Sequence, residues 1–239
     1  MKMEKSIDQV FKNLDDWRHL PSYQLERRAD IFFSLYLKEV LEKKFEGQPN
    51  GSKLFDALVP EFPLRIGTYD VKKEKSNQST KVDYLAVSKD HEHVFLVELK
   101  TDDASVGPNE RYLDNARTAG FAKLLEGVLA IREASNAKPK YDHLMRHLKE
   151  LQLVKEELNL DPNNRKNKST RAKYHATLKV KNSLVTVVML TPNELVKNKY
   201  KFGNIIFEDF KKVVDSHSDP LSKRFSVSLE KWKKKAGTL

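Results

Sequence analysis

No cysteine occurs in this chain, so disulfides and thiolate-ligated zinc or iron–sulfur centres are excluded. Long apolar runs are missing as well. The stretch Leu184 to Leu190 is among the longest, far short of the roughly 20 residues that cross a bilayer. The opening MKMEKSIDQV is too charged to be the core of a signal peptide. A cytoplasmic chain with no membrane partner is expected, which suits the reducing conditions that favour a cysteine-free composition. The sequence also lacks a glycine-rich phosphate loop, a nucleophile elbow and a dinucleotide fingerprint. That leaves kinases, serine hydrolases and nicotinamide enzymes without support. No internal repeat and no low-complexity tract is present.

What is there is the composition of a folded protein with an excess of positive charge. Hydrophobic residues make up 39% of the 239 and charged residues 33%. Leu, Val and Phe recur along the whole length, enough to bury a core without cross-links. The length fits one large α/β domain or two small ones, and a single domain over residues 1–239 is expected. A net charge of +10 favours an anionic partner such as nucleic acid, because each neutralised phosphate releases counterions. A lysine-rich surface that only keeps a protein in solution gives the same number.

Periodicity sets out the elements. After Pro21 and Ser22, the residues Leu25, Ala29, Phe32, Tyr36, Val40 and Phe45 recur at helical spacing, with Ser22 as a cap, Glu26 in the first turn and Gly47 with Pro49 as a stop. Residues 62–71 read as a strand, at an edge or starting at Pro63. The polar stretch KKEKSNQST reads as a mobile loop tip, and strands are expected over 81–88 and 93–101. The second of these, apolar on both faces through Val94 to Leu99, should be central. One helical pattern then runs from Leu113 through Gly120 to Ile131, and another from Tyr141 to Leu158 after Pro139. The segment DPNNRKNKSTRAK is a basic loop placed to meet phosphate. Leu184 to Leu190 is a buried strand, and Thr191-Pro192-Asn193-Glu194 is a capping box that should open a short helix. Gly203 to Phe207 reads as a strand, and Leu221, Phe225, Leu229 and Trp232 as a last amphipathic helix.

The chemistry sits on the most apolar strand. A period of two puts Val94, Leu96, Glu98 and Lys100 on one face, so an acid and a base emerge together where burial would otherwise be costly. Counting back through the turn at 89–92, a two-residue loop with Lys89 opposite Glu92 or a four-residue loop with Ser88 opposite His93 gives one register, which pairs Asp83 with Glu98 and Lys81 with Lys100. Opposed side chains of this kind have Cβ atoms about 4.5 to 5.5 Å apart. Two facing carboxylates on apolar strands make sense around a hard divalent cation, magnesium or manganese. A neighbouring lysine adds positive charge for a scissile phosphate or for the attacking water.

Asp83, Glu98 and Lys100 in this arrangement resemble the PD-(D/E)XK nuclease superfamily, over residues 22–190. The resemblance implies an α/β fold with a restriction-endonuclease-like core, a central mixed β-sheet flanked by helices in the order αβββαβ, with helical additions. Residues 191–239 would be a C-terminal extension. It implies that Asp83 and Glu98 bind Mg2+ or Mn2+, that the backbone carbonyl of Leu99 is a further ligand, and that Lys100 assists the nucleophilic water. An acid of the first helix joins such sites; Glu26 is the choice, with Glu39 and Glu42 as competitors. Val82 stands where the motif has proline. No Gln-x-x-x-Tyr follows the strand, where Glu110, Arg111, Tyr112 and Arg117 are the available helpers.

The function implied is metal-dependent hydrolysis of nucleic acid, with DNA the expected substrate. The alternative is a silent module of the same fold that binds nucleic acid or a protein. Asp102 and Asp103 read as turn residues. His143 and His147, four apart on a helix, lack an evident third metal ligand.

Overall fold

The computed structural model describes residues 2–20, 23–48, 53–102, 110–157, 173–195 and 199–234. In chain order its helices are α1 Lys2–Trp17, α2 Glu26–Lys44, α3 Ile66–Tyr69, α4 Arg111–Ala119, α5 Phe121–Ala134, α6 Lys138–Glu150, α7 Phe207–Val214 and α8 Pro220–Trp232. Its strands are β1 Val59–Arg65, β2 Ser79–Val87, β3 His93–Leu99, β4 Val154–Glu157, β5 Lys173–Ala176, β6 Leu184–Thr191 and β7 Gly203–Ile206. The chain is α/β. Five strands form a mixed sheet in the order β1-β2-β3-β6-β7, and β4 and β5 form a separate two-stranded ribbon. Among the described residues, no helix is long and apolar enough to cross a membrane. The Ser22 cap, Leu158 and all but the last residue of the basic segment 161–173 lie outside the described residues.

Two compact units divide the chain, and neither is continuous in sequence: Met1–Leu54 with Val97–Arg111 and Thr186–Leu239, and Phe55–Leu96 with Tyr112–Val185. The first is built on aromatic rings. Helix α2 buries Ala29, Tyr36 and Val40 of the expected stripe, with Phe33 in place of Phe32 and with Leu37 and Leu41 beside them, and stops before Gly47, whose φ of 73° suits a residue without a Cβ. Phe225 of α8 lies within 5.3 Å of Phe33 and 5.8 Å of both Phe11 and Tyr36, measured between ring centroids. Helices α1 and α7, short of signals strong enough to be read beforehand, complete this core with Phe11, Phe207 and Phe210.

Asp15 ties α1 to α8. Its carboxylate accepts from the Trp232 indole at 3.0 Å, the Lys231 ammonium at 2.7 Å and the Arg224 guanidinium at 2.9 Å. Burial pushes this acid up, and the hydrogen bonds from Lys231 and Arg224 outweigh it, so the group is held below its ordinary value. A depressed carboxyl contributes stability that is present above the unfolded-state value, about 3.9, and lost as pH falls through the folded one. Asp209, Asp215 and Asp219 of the same unit are depressed too. Urea unfolding of this unit is therefore expected to weaken steadily below about pH 4. Asp15→Asn should lose about 2 kcal/mol at neutral pH and flatten that acid limb. An unchanged limb would remove Asp15 from the account.

The second unit pairs β1 with β2 in antiparallel register from Val59↔Leu85 to Arg65↔Ser79. β1 is the edge strand, where Pro60 and Pro63 can sit without breaking a ladder. It begins and ends earlier than the sequence suggests. The chain leaves it as α3, because Gly67 folds against the following loop: a Cβ there would lie 2.3 Å from the Glu74 carbonyl oxygen and 2.7 Å from that of Ser76. Arg65 reaches into the KKEKSNQST stretch, donating to Asn77 Oδ1 at 2.8 Å and to the Glu74 carbonyl at 2.9 Å.

Two further expectations are corrected. The single helix through Gly120 is two helices, α4 and α5, because Gly120 takes φ 81°. The capping box opens no helix among the described residues. Thr191 ends β6, and its hydroxyl donates to the Asn193 carbonyl while accepting from the Asn204 amide, which also takes the Leu195 N–H. Asn204 satisfies the groups that a helix start would have used. The β4–β5 ribbon was not read from sequence; its paired segments are four residues each.

Candidate metal and phosphodiester site

The first unit holds three of the expected residues together. Beyond Leu99 the ladder continues for one residue, with the Lys100 N–H donating to the Leu190 carbonyl at 2.8 Å. This keeps Glu98 and Lys100 in strand alternation, on one side of β3, with the buried Leu99 side chain between them in sequence. The Lys100 ammonium donates to Glu98 Oε1 at 2.6 Å, and Glu26 Oε1 stands 4.0 Å from the same nitrogen. Glu98 is only 8% exposed. A carboxylate so buried requires a compensating positive charge, and Lys100, whose side chain is 14% exposed, supplies it.

Glu26 is the first residue of α2, whose N-cap Leu25 offers no side-chain oxygen. The positive end of the helix dipole is thus left to the carboxylate. The competing acids of α2 are engaged elsewhere. Glu39 pairs with His217 at 3.0 Å, and Glu42 accepts from the Leu54 N–H at 2.8 Å and from Lys53. Of the three, Glu26 is the one placed beside Lys100.

A cavity of about 280 Å³ opens along Glu26, lined also by Arg18, Tyr23, Gln24, Arg27, Thr101 and Asp102. Arg18, 8% exposed, donates to the carbonyls of Lys231 at 3.1 Å and Lys234 at 2.8 Å, so it caps the negative end of α8. Burial pushes its guanidinium down, and the charges of Asp102 and Asp15 act against that. Asp102, which the sequence reads as a turn residue, lies on the cavity that Glu26 lines. Its signal was present: 98, 100 and 102 continue one period of two. Arg18 gave no such signal. Asp103 lies outside the described residues.

In the second unit, Asp83 is half-buried on β2 between the buried Val82 and Tyr84. Opposite it β1 is irregular, with Phe62↔Val82 and Pro60↔Tyr84 paired and Glu61 at φ 51°. Lys81 does not stand as a lone positive charge, since it pairs with Glu61. The Tyr112 hydroxyl reaches the Lys81 carbonyl at 3.4 Å. The turn closes in the counted register, the Ser88 N–H donating to the His93 carbonyl at 2.9 Å. Arg117 is engaged with Asp114 at 2.5 Å.

Among the described residues, no group of three or more His, Asp or Glu side chains stands ready as a metal cage. What the first unit offers is two carboxylates around one ammonium, a donor set of hard oxygens. That chemistry fits magnesium or manganese and does not fit a soft ion. Comparison with family models, with curated proteins and with solved structures returns no match.

Proposed function

We propose that this chain is a metal-dependent nuclease of the PD-(D/E)XK kind, hydrolysing phosphodiester bonds of DNA. The observation that carries the reading is the Lys100 ammonium, 2.6 Å from Glu98 and 4.0 Å from Glu26. The order α2, β1, β2, β3, α4 and later β6 supports it. Asp83 is assigned as the first acid by its place in the motif, on the strand before Glu98. Asp83, Glu98 and the Leu99 carbonyl would hold Mg2+ or Mn2+, which supplies Lewis-acid charge and a water of lowered pKa. Lys100 orients the attacking water through a hydrogen bond, or donates to the phosphate oxygen on which charge develops. Glu26 keeps the lysine aimed. Arg27 on the cavity rim holds the nucleic-acid backbone.

One observation favours the second reading, a silent binding module: the ammonium already neutralises the carboxylate that a metal would use. Incubating the purified chain with linear and circular DNA, with and without Mg2+ or Mn2+, separates the two. Cleavage that appears only with the metal, together with metal-dependent thermal stabilisation, is the expected outcome. DNA binding with a steep salt dependence but neither of those effects would overturn catalysis in favour of the silent module.

A further inference from the structure

Helix α6 carries a second metal-ligating arrangement that the nuclease reading does not use. His143 and His147 lie one turn apart on its exposed face, their rings at 80° with centroids 4.8 Å apart. Their Nε2 atoms approach to 3.1 Å. Two nitrogen ligands about 2.0 to 2.1 Å from one zinc ion stand about 3.3 Å apart at a tetrahedral angle, so the pair is already at chelating separation.

The surrounding hydrogen bonds fix the protons. Arg146 donates to His143 Nδ1 at 2.9 Å, and a guanidinium can only donate. His143 therefore carries its proton on Nε2 and gives it to His147 Nε2. His147 is then protonated on Nδ1, which faces Glu150 Oε2 at 3.6 Å. At that separation Glu150 is a charged neighbour and not yet a hydrogen-bond partner; a side-chain rotation would bring it into the outer-shell position that orients a metal-bound histidine.

We infer that His143 and His147 form a bidentate site on α6 for a borderline transition-metal ion, Zn2+ in the first place, with solvent in the remaining positions. Imidazole nitrogens select such ions over magnesium, so this site and the carboxylate site take different metals. Binding requires the His143 proton to move from Nε2 to Nδ1, and the exposed Arg146 must swing off Nδ1 to let it. His147 needs no change, because its Nε2 already presents a lone pair.

The test is calorimetric titration of the tag-free full chain with zinc chloride in excess magnesium, read as heat and independent of cleavage. One zinc per chain is expected. Loss of one ligand turns a chelate into a single contact, so His143→Ala and His147→Ala should each weaken binding by on the order of a hundredfold. Arg146→Ala should tighten it, because the competing donor and its charge are gone. All three positions are exposed or half-buried on α6, and circular dichroism checks that the helix persists. No saturable zinc binding, or binding that survives both histidine substitutions, would overturn the inference. Neither result bears on the carboxylate site.

Discussion

Lys100→Ala is expected to lower metal-dependent DNA cleavage by on the order of a hundredfold to a thousandfold, the loss seen when one preorganised donor to a developing charge is removed. The same substitution should not weaken metal binding. On the proposed reading a divalent ion would compete with the ammonium for the Glu98 carboxylate, which Lys100 holds at 2.6 Å. Removing the lysine leaves an 8%-exposed carboxylate without its closest cation, and a buried charge stripped of its partner is destabilising. The variant should therefore melt lower than the parent in chelator. It should also gain more from Mg2+ or Mn2+ than the parent does, because the ion now restores the missing charge. Glu98→Gln should behave in the opposite way, with cleavage lost and metal stabilisation lost together. Single-turnover cleavage and thermal melts with and without metal read both effects. A Lys100→Ala protein that cleaves at the parental rate would remove the lysine from the chemistry. One that loses cleavage yet gains no extra stabilisation from metal would place the cation elsewhere.

Phe225→Ala is expected to destabilise the first unit by about 3 to 5 kcal/mol, the range for deleting a fully buried aromatic ring. Phe225 is 0% exposed and its ring centroid lies within 6.1 Å of those of Phe11, Phe32, Phe33, Tyr36, Phe210 and Trp232. Offset and edge-to-face ring pairs add about 0.5 to 1.5 kcal/mol beyond their area, and this one substitution removes several. Helices α1, α2, α7 and α8 all contribute rings to the cluster, so the cavity cannot be closed by moving one helix alone. Phe225→Leu, which keeps most of the volume, should cost less. Both tryptophans of the chain, Trp17 and Trp232, belong to this unit, so fluorescence during urea unfolding reports on it selectively. A midpoint within error of the parent's would mean that the ring cluster carries no such share of the stability.

The parts of this architecture that were legible in the sequence are those fixed by nearby residues. β3 announced itself as an apolar run interrupted by Glu98, and α2 and α8 by stripes at helical spacing, the first of them stopping at Gly47. Pro63 left two readings, an edge strand or a strand start, and pairing decides for the edge. One misreading occurs where a distant residue decides the outcome, and another where a local backbone angle does. Thr191 to Glu194 has the letters of a helix start, but Asn204 arrives from β7 and takes the groups first. Gly120 fits a helical period, and only its backbone angle ends α4 there. At the site, Glu98 with Lys100 followed from strand alternation and Glu26 from the family likeness. Asp102 obeyed the same alternation and was set aside because a loop follows it. Arg18 was invisible, since its partners are carbonyls at the far end of α8.

The link between Asp8 of α1 and Arg224 of α8 closes over 216 residues. On a ribosome adding about 5 to 20 residues per second, the first helices wait on the order of 10 to 40 s before α8 exists to cover Phe11 and Phe33. During that interval a nascent chain presents bare aromatic surface of the sort that holdase chaperones grip. Slowing translation of the last segment should therefore lower the soluble yield of this protein, while supplying α8 in trans as a peptide should raise it.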